Sequence, residues 1–217
     1  MIRSFRLAIV LVFIALPLAA QTPPPDDPAQ LWKWLKDGNA TFMAGSIRYV
    51  GLDKLRNDTD KPKGQNPPVA ILSCADSRVP PELVFYKTLN QVFVVRVAGN
   101  VAGQFDLASL EYSVAQGWTK LIVVMGHSRC GAVEAALDPN DPGTPSLVAL
   151  VQRIRESFGA DWAAPPSLED ATKRNARASA SWLPAHSAVI RDAVRNGKVR
   201  IVAAYYNLGS GLVEEVP

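Results

Sequence analysis

Three side chains of this sequence could together bind a transition metal. Cys74 and Cys130 are the two cysteines of the chain, and His127 lies three residues before Cys130. In a first helical turn that spacing places both side chains on one side. One imidazole and two thiolates suit Zn²⁺ better than Mg²⁺ or Ca²⁺, and three protein ligands leave the open fourth position of a catalytic site. Two alternatives remain: a disulfide between the cysteines, or a hydrolase with Cys74 as nucleophile.

A carboxylate and a guanidinium follow the first cysteine closely. Asp76 is two residues beyond Cys74, and Arg78 is two residues further on. A local ion pair of this kind could hold a carboxylate beside a metal or its bound water. It could equally be an ordinary surface salt bridge at the end of a strand.

Both cysteine motifs follow short apolar runs that predict buried strands. Residues 69–73 and 121–126 are mostly aliphatic and stop at polar residues, which is typical of a parallel sheet. Strand sequence alternates with helical sequence over about 150 residues, which predicts an α/β fold. We expect a mostly parallel sheet flanked by helices, with an N-terminal helical arm. Further strands are expected at residues 91–97 and 199–205, and helices at 29–44, 105–117, 131–137, 146–158 and 168–196.

The expected fold brings the candidate ligands together. In open α/β sheets, ligands bind beyond the carboxyl ends of the strands, where the strand order reverses. Cys74 follows one expected strand end and His127 follows another. Because the two motifs use every cysteine of the chain at matching strand ends, a shared zinc site is favoured over coincidence.

Length and composition restrict the class of protein. The chain has 217 residues, of which 48% are hydrophobic and 20% charged, as in a globular domain with a sizeable core. These values exclude a disordered, collagen-like or multi-pass membrane chain. Without Arg3 and Arg6, which lie in a segment expected to be removed, the formal charge of +3 falls to about +1. No basic run interleaved with aromatic residues is present, so a nucleic-acid partner is not expected.

The first twenty residues have the pattern of a secretory signal. A basic head is followed by an apolar run at residues 7–16 and by small residues up to Ala20. The uncharged stretch at residues 7–20 is shorter than the roughly 20 residues of a spanning helix. We expect cleavage after Ala20, a Pro-rich lead-in at 21–29, and a single catalytic domain at 30–217. The mature protein would then be periplasmic or secreted, without stable membrane insertion.

The sequence around the candidate ligands resembles the β-class carbonic anhydrases. Residues 73–79 read Ser-Cys-Ala-Asp-Ser-Arg-Val, and residues 126–131 read Gly-His-Ser-Arg-Cys-Gly. The similarity extends from about residue 30 to residue 215. Its other parts lie at residues 39–42 (Asn-Ala-Thr-Phe), 64–67 (Gly-Gln-Asn-Pro), 93–100, 109–112 and 201–213.

The resemblance implies a zinc enzyme. Cys74, His127 and Cys130 would hold one Zn²⁺ per chain, and the reaction would be the reversible hydration of CO₂ to bicarbonate and a proton by zinc-bound hydroxide. Asp76 and Arg78 would form the catalytic dyad beside the metal. Asp76 would either accept a hydrogen bond from the hydroxide or bind zinc as a fourth ligand in a closed, inactive state. Both states occur in the family, and the sequence leaves the choice open.

The resemblance also implies a substrate pocket and an oligomer. Gln65 would donate a hydrogen bond in the pocket, and Phe93 and Tyr112 would line its apolar part, often across a dimer interface. By residue type alone, Phe93 and Tyr112 could equally be core aromatics. The expected assembly is a homodimer or tetramer, and the expected small-molecule partners are CO₂ and bicarbonate. A relative that hydrolyses carbon disulfide or carbonyl sulfide would use the same residues, so this alternative stays open.

Overall fold

The computed structural model describes residues 23–46, 56, 64–140, 142–159 and 165–217. The expected signal segment and its cleavage site at Ala20 lie outside the described residues. Within them, the elements follow one another as strand and helix in the order that the apolar runs predict.

A five-stranded sheet organises the described residues. Its spatial order is β2-β1-β3-β4-β5, with the first four strands parallel and β5 antiparallel to β4. The strands are β1 (Val69–Ser73), β2 (Val92–Arg96), β3 (Leu121–His127), β4 (Arg200–Tyr206) and β5 (Val213–Glu215). The prediction of a mostly parallel sheet is confirmed. Strand β5 has three residues and was not predicted, because so short a segment carries no clear alternation.

Helices flank the sheet near the positions that the sequence predicts. They are α1 (Pro28–Met43), α2 (Pro81–Val84), α3 (Gln104–Ala115), α4 (Gly131–Leu137), α5 (Pro145–Arg155), α6 (Leu168–His186) and α7 (Ala188–Arg195). The single helix expected over 168–196 is two helices. Ser187 separates them, and its hydroxyl accepts a hydrogen bond from the N–H of Ile190 as the N-cap of α7. Among the described residues, every helix is too short or too polar to cross a bilayer.

Both faces of the sheet are buried, which explains the continuous apolar runs. On one face Val69 and Ile71 pack with residues of α1, and on the other Ala70 and Leu72 pack with residues of α3 and α6. Full burial of an aliphatic side chain of this size contributes about 1.5–3 kcal/mol. The helical partners on the two faces include Leu31, Leu35, Leu107, Leu110 and Leu183.

Helix α1 is fixed to the rest of the domain by one buried asparagine. The Asn39 side-chain nitrogen donates to the carbonyl oxygens of Val84 at 3.1 Å and Gly211 at 2.8 Å. Its side-chain oxygen accepts from the N–H of Val213 at 2.9 Å. The side chain therefore joins α1 to α2 and to the start of β5. This contact gives a structural reason for the Asn at the start of the motif at residues 39–42.

Candidate metal centre

The candidate ligands lie where the strand order reverses. The chain runs from β1 to β2 on one side and then to β3 on the other side of β1. Cys74 directly follows β1, and His127 is the last residue of β3. The two strands are parallel and in register, with Ser73 opposite Met125, so both residues reach the carboxyl edge of the sheet. Cys130 is the N-cap residue of α4, three residues beyond His127.

The distances between the three donor atoms suit a tetrahedral zinc ion. The Sγ atoms of Cys74 and Cys130 are 3.9 Å apart, and all three donor atoms lie within 4.8 Å of one another. Two Zn–S bonds of about 2.3 Å at a tetrahedral angle separate their sulfurs by about 3.8 Å. The two cysteines are free thiols, and all three ligands are buried.

The imidazole of His127 is held in the form that a metal needs. Its Nδ1 donates to the carbonyl oxygen of Ser128 at 3.0 Å, which leaves Nε2 as the free acceptor. The side chain is fully buried, and Nε2 has no hydrogen-bond partner in the described part of the chain. A buried acceptor without a partner is costly unless something binds it. The residues present therefore fit a zinc ion.

Backbone and side-chain donors surround the sulfur atoms. The Sγ of Cys74 accepts from the N–H of Gly99 at 3.3 Å and of Asp76 at 3.4 Å. The hydrogen bond from the Cys130 thiol lowers the pKa of Cys74, against the opposing effect of burial. The same bond raises the pKa of Cys130, and burial adds to that rise. Binding of a metal by both thiolates releases any proton that the pair holds.

Asp76 and Arg78 form the expected ion pair beside the cluster. The Nε and Nη2 of Arg78 donate to the Oδ1 and Oδ2 of Asp76 at 2.9 and 2.6 Å. These hydrogen bonds hold the pKa of the Asp76 carboxyl well below its usual range. The Oδ2 of Asp76 is 3.9 Å from the Nε2 of His127. A carboxylate whose ionised form is favoured therefore borders the metal ligands.

A second arginine holds the loop that carries Cys74 and Asp76. Arg96, at the end of β2, donates from Nε to the carbonyl oxygen of Cys74 at 3.1 Å. Its Nη2 donates to the carbonyl oxygen of Asp76 at 2.5 Å. The sequence analysis missed this residue. Arg96 could have been identified from its position at the carboxyl end of β2. There it lies directly opposite Ser73, the residue before Cys74, in the parallel register.

The three residues expected in the substrate pocket are spread over one chain. Gln65 is exposed and lies before β1, while Cys74 lies after it. The five residues of β1 span about 16 Å, so Gln65 borders the opposite edge of the sheet. Phe93 is a partly buried residue in the middle of edge strand β2. Tyr112 exposes half of its side chain on α3 and packs edge-to-face on Trp118.

Comparison with protein families gives one match over most of the domain. A family model described as "Carbonic anhydrase" matches residues 69–213. The carbonic anhydrase of Mycolicibacterium smegmatis is 35% identical over 197 residues, which cover 88% of this chain and 94% of its own. Carbonic anhydrase 2 of Mycobacterium tuberculosis is 35% identical over 192 residues, which cover 87% of this chain and 92% of its own.

Solved structures of similar proteins agree with the observed fold. The β-carbonic anhydrase of Coccomyxa, solved with acetazolamide, superimposes with a TM-score of 0.64 at 27% identity, over 88% of this chain and 87% of its own. A tetrameric β-carbonic anhydrase of Sordaria macrospora gives a TM-score of 0.65 at 24% identity, over 87% of this chain and 97% of its own.

Proposed function

We propose roles for the individual site residues from the premise that this chain belongs to the β-class carbonic anhydrase family. Its reaction is the reversible hydration of CO₂ to bicarbonate and a proton. The cluster of Cys74, His127 and Cys130 is typical of the family's zinc site. When bound, zinc supplies Lewis acidity, which lowers the pKa of water to about 7 and makes hydroxide available at neutral pH.

In this proposal Asp76 is the hydrogen-bond acceptor that orients the reacting water, and Arg78 holds it. The observation that carries the proposal is the two-point Asp76–Arg78 pair, whose carboxylate lies 3.9 Å from His127. Because the pKa of the carboxyl is lowered, the ionised form is favoured, and it can accept a hydrogen bond from the oxygen of a water molecule. CO₂ is uncharged and needs no countercharge, so the main contribution of this carboxylate is to orient the reacting water.

Arg78 also prevents a competing use of the same carboxylate. Both Asp76 oxygens are bonded to the guanidinium, which restrains the carboxylate from turning towards the position of a fourth metal ligand. Without Arg78, Oδ2 would need to move only a short way to reach the cluster. We therefore propose that Arg78 keeps the site open, with Asp76 paired to the guanidinium, and prevents the closed state in which Asp76 binds zinc.

The test is an Arg78→Ala variant assayed for both zinc and turnover. We expect zinc to remain at one per chain while kcat/KM for CO₂ hydration falls roughly 100-fold, since the carboxylate loses its orientation. Arg129→Ala is the matched control: Arg129 touches Arg78 through its backbone carbonyl, which the substitution keeps. Full activity in Arg78→Ala would refute the role of the pair. Loss of zinc together with activity would show that Arg78 stabilises the loop instead.

We further propose that this chain forms a homodimer, alone or within a tetramer, through the edge of β2. All five residues of β2 are only partly buried, and its outer edge has no paired strand among the described residues. On neighbouring α3, Tyr112 is half exposed and Phe105 is 81% exposed. An apolar strand edge beside exposed aromatics favours burial against a second copy.

A two-fold axis at β2 would explain the position of Gln65. Such an axis makes the contact the same in both subunits and runs the two β2 strands in opposite directions. The amino edge of one sheet then continues into the carboxyl edge of the partner's sheet. Gln65 of one chain would thereby approach the metal centre of the other, and Phe93 and Tyr112 would line the boundary between them.

Subunit mixing tests this arrangement. Gln65→Ala and Cys74→Ala variants, each of low activity, are mixed under conditions that exchange subunits. If Gln65 acts across the interface, the mixed dimer has one complete site and activity returns. If it acts within its own chain, no mixed dimer has a complete site and activity stays low. A monomer in sedimentation equilibrium at assay concentration would contradict the interface itself.

For the N-terminus we propose export with cleavage after Ala20. The support is the sequence of residues 1–20, with its basic head, apolar run and small-residue end. N-terminal sequencing of the protein from the envelope and soluble fractions tests it. We expect a chain that begins at Gln21, and a chain that still begins at Met1 in the envelope fraction would contradict the proposal.

A further inference from the structure

A tight turn supplies one of the two hydrogen bonds that backbone N–H groups donate to Cys74. The turn comprises Ala98–Asn100, and its central N–H, that of Gly99, donates to the Sγ of Cys74 at 3.3 Å. The carbonyl oxygen of the same residue accepts from the Nδ2 of Asn175 on α6 at 2.6 Å. Both contacts are buried, and Asn175 is 1% exposed.

Few groups of this turn can form contacts that fix its backbone conformation. Gly99 has φ +67°, in the left-handed region that favours glycine. A Cβ at this position would lie 2.7 Å from the Cδ1 of Ile154, so a side chain there would require Ile154 to shift. The N–H of Asn100 bonds to the carbonyl of Val97 and closes the turn. The Gly99 carbonyl is a group through which α6 can restrain the backbone of this turn.

We propose that Asn175 is a positioning residue for the zinc site, acting through Gly99 on the sulfur of Cys74. The Gly99 carbonyl belongs to the peptide group after Gly99, and the N–H that bonds Sγ belongs to the one before it. By holding the carbonyl, the Asn175 amide restrains the backbone angles of Gly99 and, through them, the direction of its N–H towards Sγ. A hydrogen bond that an N–H group donates to a thiolate draws electron density from sulfur. It thereby reduces the repulsion between two buried thiolates. Groups outside the ligand set that orient a ligand in this way typically change metal affinity by 10–100-fold.

The proposal rests on the zinc site and is independent of the roles given to Asp76 and Arg78. Asn175 bonds the carbonyl of Gly99 on the side of α6 and the turn, whereas the Asp76–Arg78 pair lies in the partly exposed loop after Cys74. The dyad proposal is tested on Arg78→Ala, where full activity or loss of zinc would refute it. The present proposal is tested by the zinc affinity of variants of Asn175, so the two can fail separately.

The test uses Asn175→Leu, which keeps the branched shape of the side chain and removes the donor, and Asn175→Ala, which removes the donor with less risk of a clash. Thr172→Val is the matched control. Thr172 lies one turn earlier on α6, is equally buried, and packs its methyl group against Gly126, while its hydroxyl donates to the carbonyl of Leu168 in its own helix. Zinc affinity is measured by competition with a chelator, and the charge-transfer band from sulfur to metal is measured in Co²⁺-substituted protein. Far-UV circular dichroism of the metal-free proteins reports folding.

We expect zinc binding about tenfold weaker in both Asn175 variants, and a charge-transfer band moved to longer wavelength, because a thiolate with fewer N–H donors gives up electron density more readily. Thr172→Val should keep the wild-type affinity and band. Unchanged affinity and spectrum in both Asn175 variants would overturn the proposal. So would equal changes in Thr172→Val, or loss of folded structure in both Asn175 variants, since Asn175 would then serve only the packing of α6.

Discussion

Replacing Lys87 by methionine should change how the stability of the fold depends on pH. Lys87 is a buried lysine, 5% exposed, whose Nζ donates to the carbonyl oxygen of Trp34 at 3.0 Å. The same nitrogen lies 3.5 Å from the centroid of the Trp34 ring. Burial lowers the pKa of Lys87 to about 8, although Asp37 acts in the opposite direction. The ammonium group is therefore held in the folded protein at a cost.

The size and sign of the effect follow from linkage. A fall in pKa from 10.5 to about 8 corresponds to about 3 kcal/mol of lost stability while the amine is protonated in both states. Below pH 8 this loss is complete. Between pH 8 and 10.5 the unfolded chain holds a proton that the folded protein has released, so the free energy of unfolding rises with pH. From pH 7 to pH 9.5 the wild type should regain about 2 kcal/mol from this group.

Urea unfolding at pH 7 and 9.5 tests the reasoning, at one fixed concentration of protein and zinc. Methionine cannot titrate, so the stability of Lys87→Met relative to wild type should fall by about 2 kcal/mol between the two pH values. This difference cancels the loss of the contacts to Trp34, which is the same at both. Lys33→Met, at an exposed lysine of the same region, should show no such change. A constant difference for Lys87→Met would refute the reasoning, because the amine would then be solvated.

Three further predictions concern the contacts around the site. Asn39→Ala should lower the free energy of unfolding by roughly 3 kcal/mol in urea titrations, since three buried backbone groups lose their partner; a loss under 1 kcal/mol would mean that water replaces it. Arg96→Met should keep zinc at one per chain but lower CO₂ hydration about tenfold in stopped-flow assays, because the carbonyls of Cys74 and Asp76 are released; unchanged turnover would contradict this. Chelation of zinc should make both thiols, Cys74 and Cys130, reactive towards an alkylating reagent, whereas loaded protein should react at neither; equal labelling with and without chelator would show that zinc does not cover them.

The sequence predicts the sheet and the metal ligands because their signals are local. Each of the two cysteine-bearing segments combines an apolar run with an abrupt polar end. Burial on both faces of a parallel sheet requires that pattern. The carboxyl ends of adjacent parallel strands must lie at the same edge. The convergence of Cys74 with His127 therefore follows from topology alone, before any side-chain geometry is considered.

The contacts that orient the ligands could not be predicted in the same way. Arg96 and Asn175 act on backbone carbonyl oxygens, and a carbonyl is present at every residue, so no residue type marks its target. The break at Ser187 depends on which of several serines caps a helix. The expected role of Gln65 depends on a distance that the sequence does not give, because the length of β1 separates Gln65 from Cys74. The distance between two residues at opposite edges of a sheet can be given only when the strand lengths are known.

The exposure of the dyad decides which property of Arg78 matters. Its side chain is 49% exposed, so solvent screens much of its attraction to Asp76. A charge alone would leave the carboxylate free to rotate towards the metal ligands. The planar guanidinium instead bonds both carboxylate oxygens at once and fixes the plane of the group, which the single ammonium of lysine cannot do. The buried ligands, by contrast, receive their hydrogen bonds from rigid backbone such as Gly99. Orientation at the mouth of the site therefore depends on side-chain geometry, whereas deeper in the site it depends on the fold.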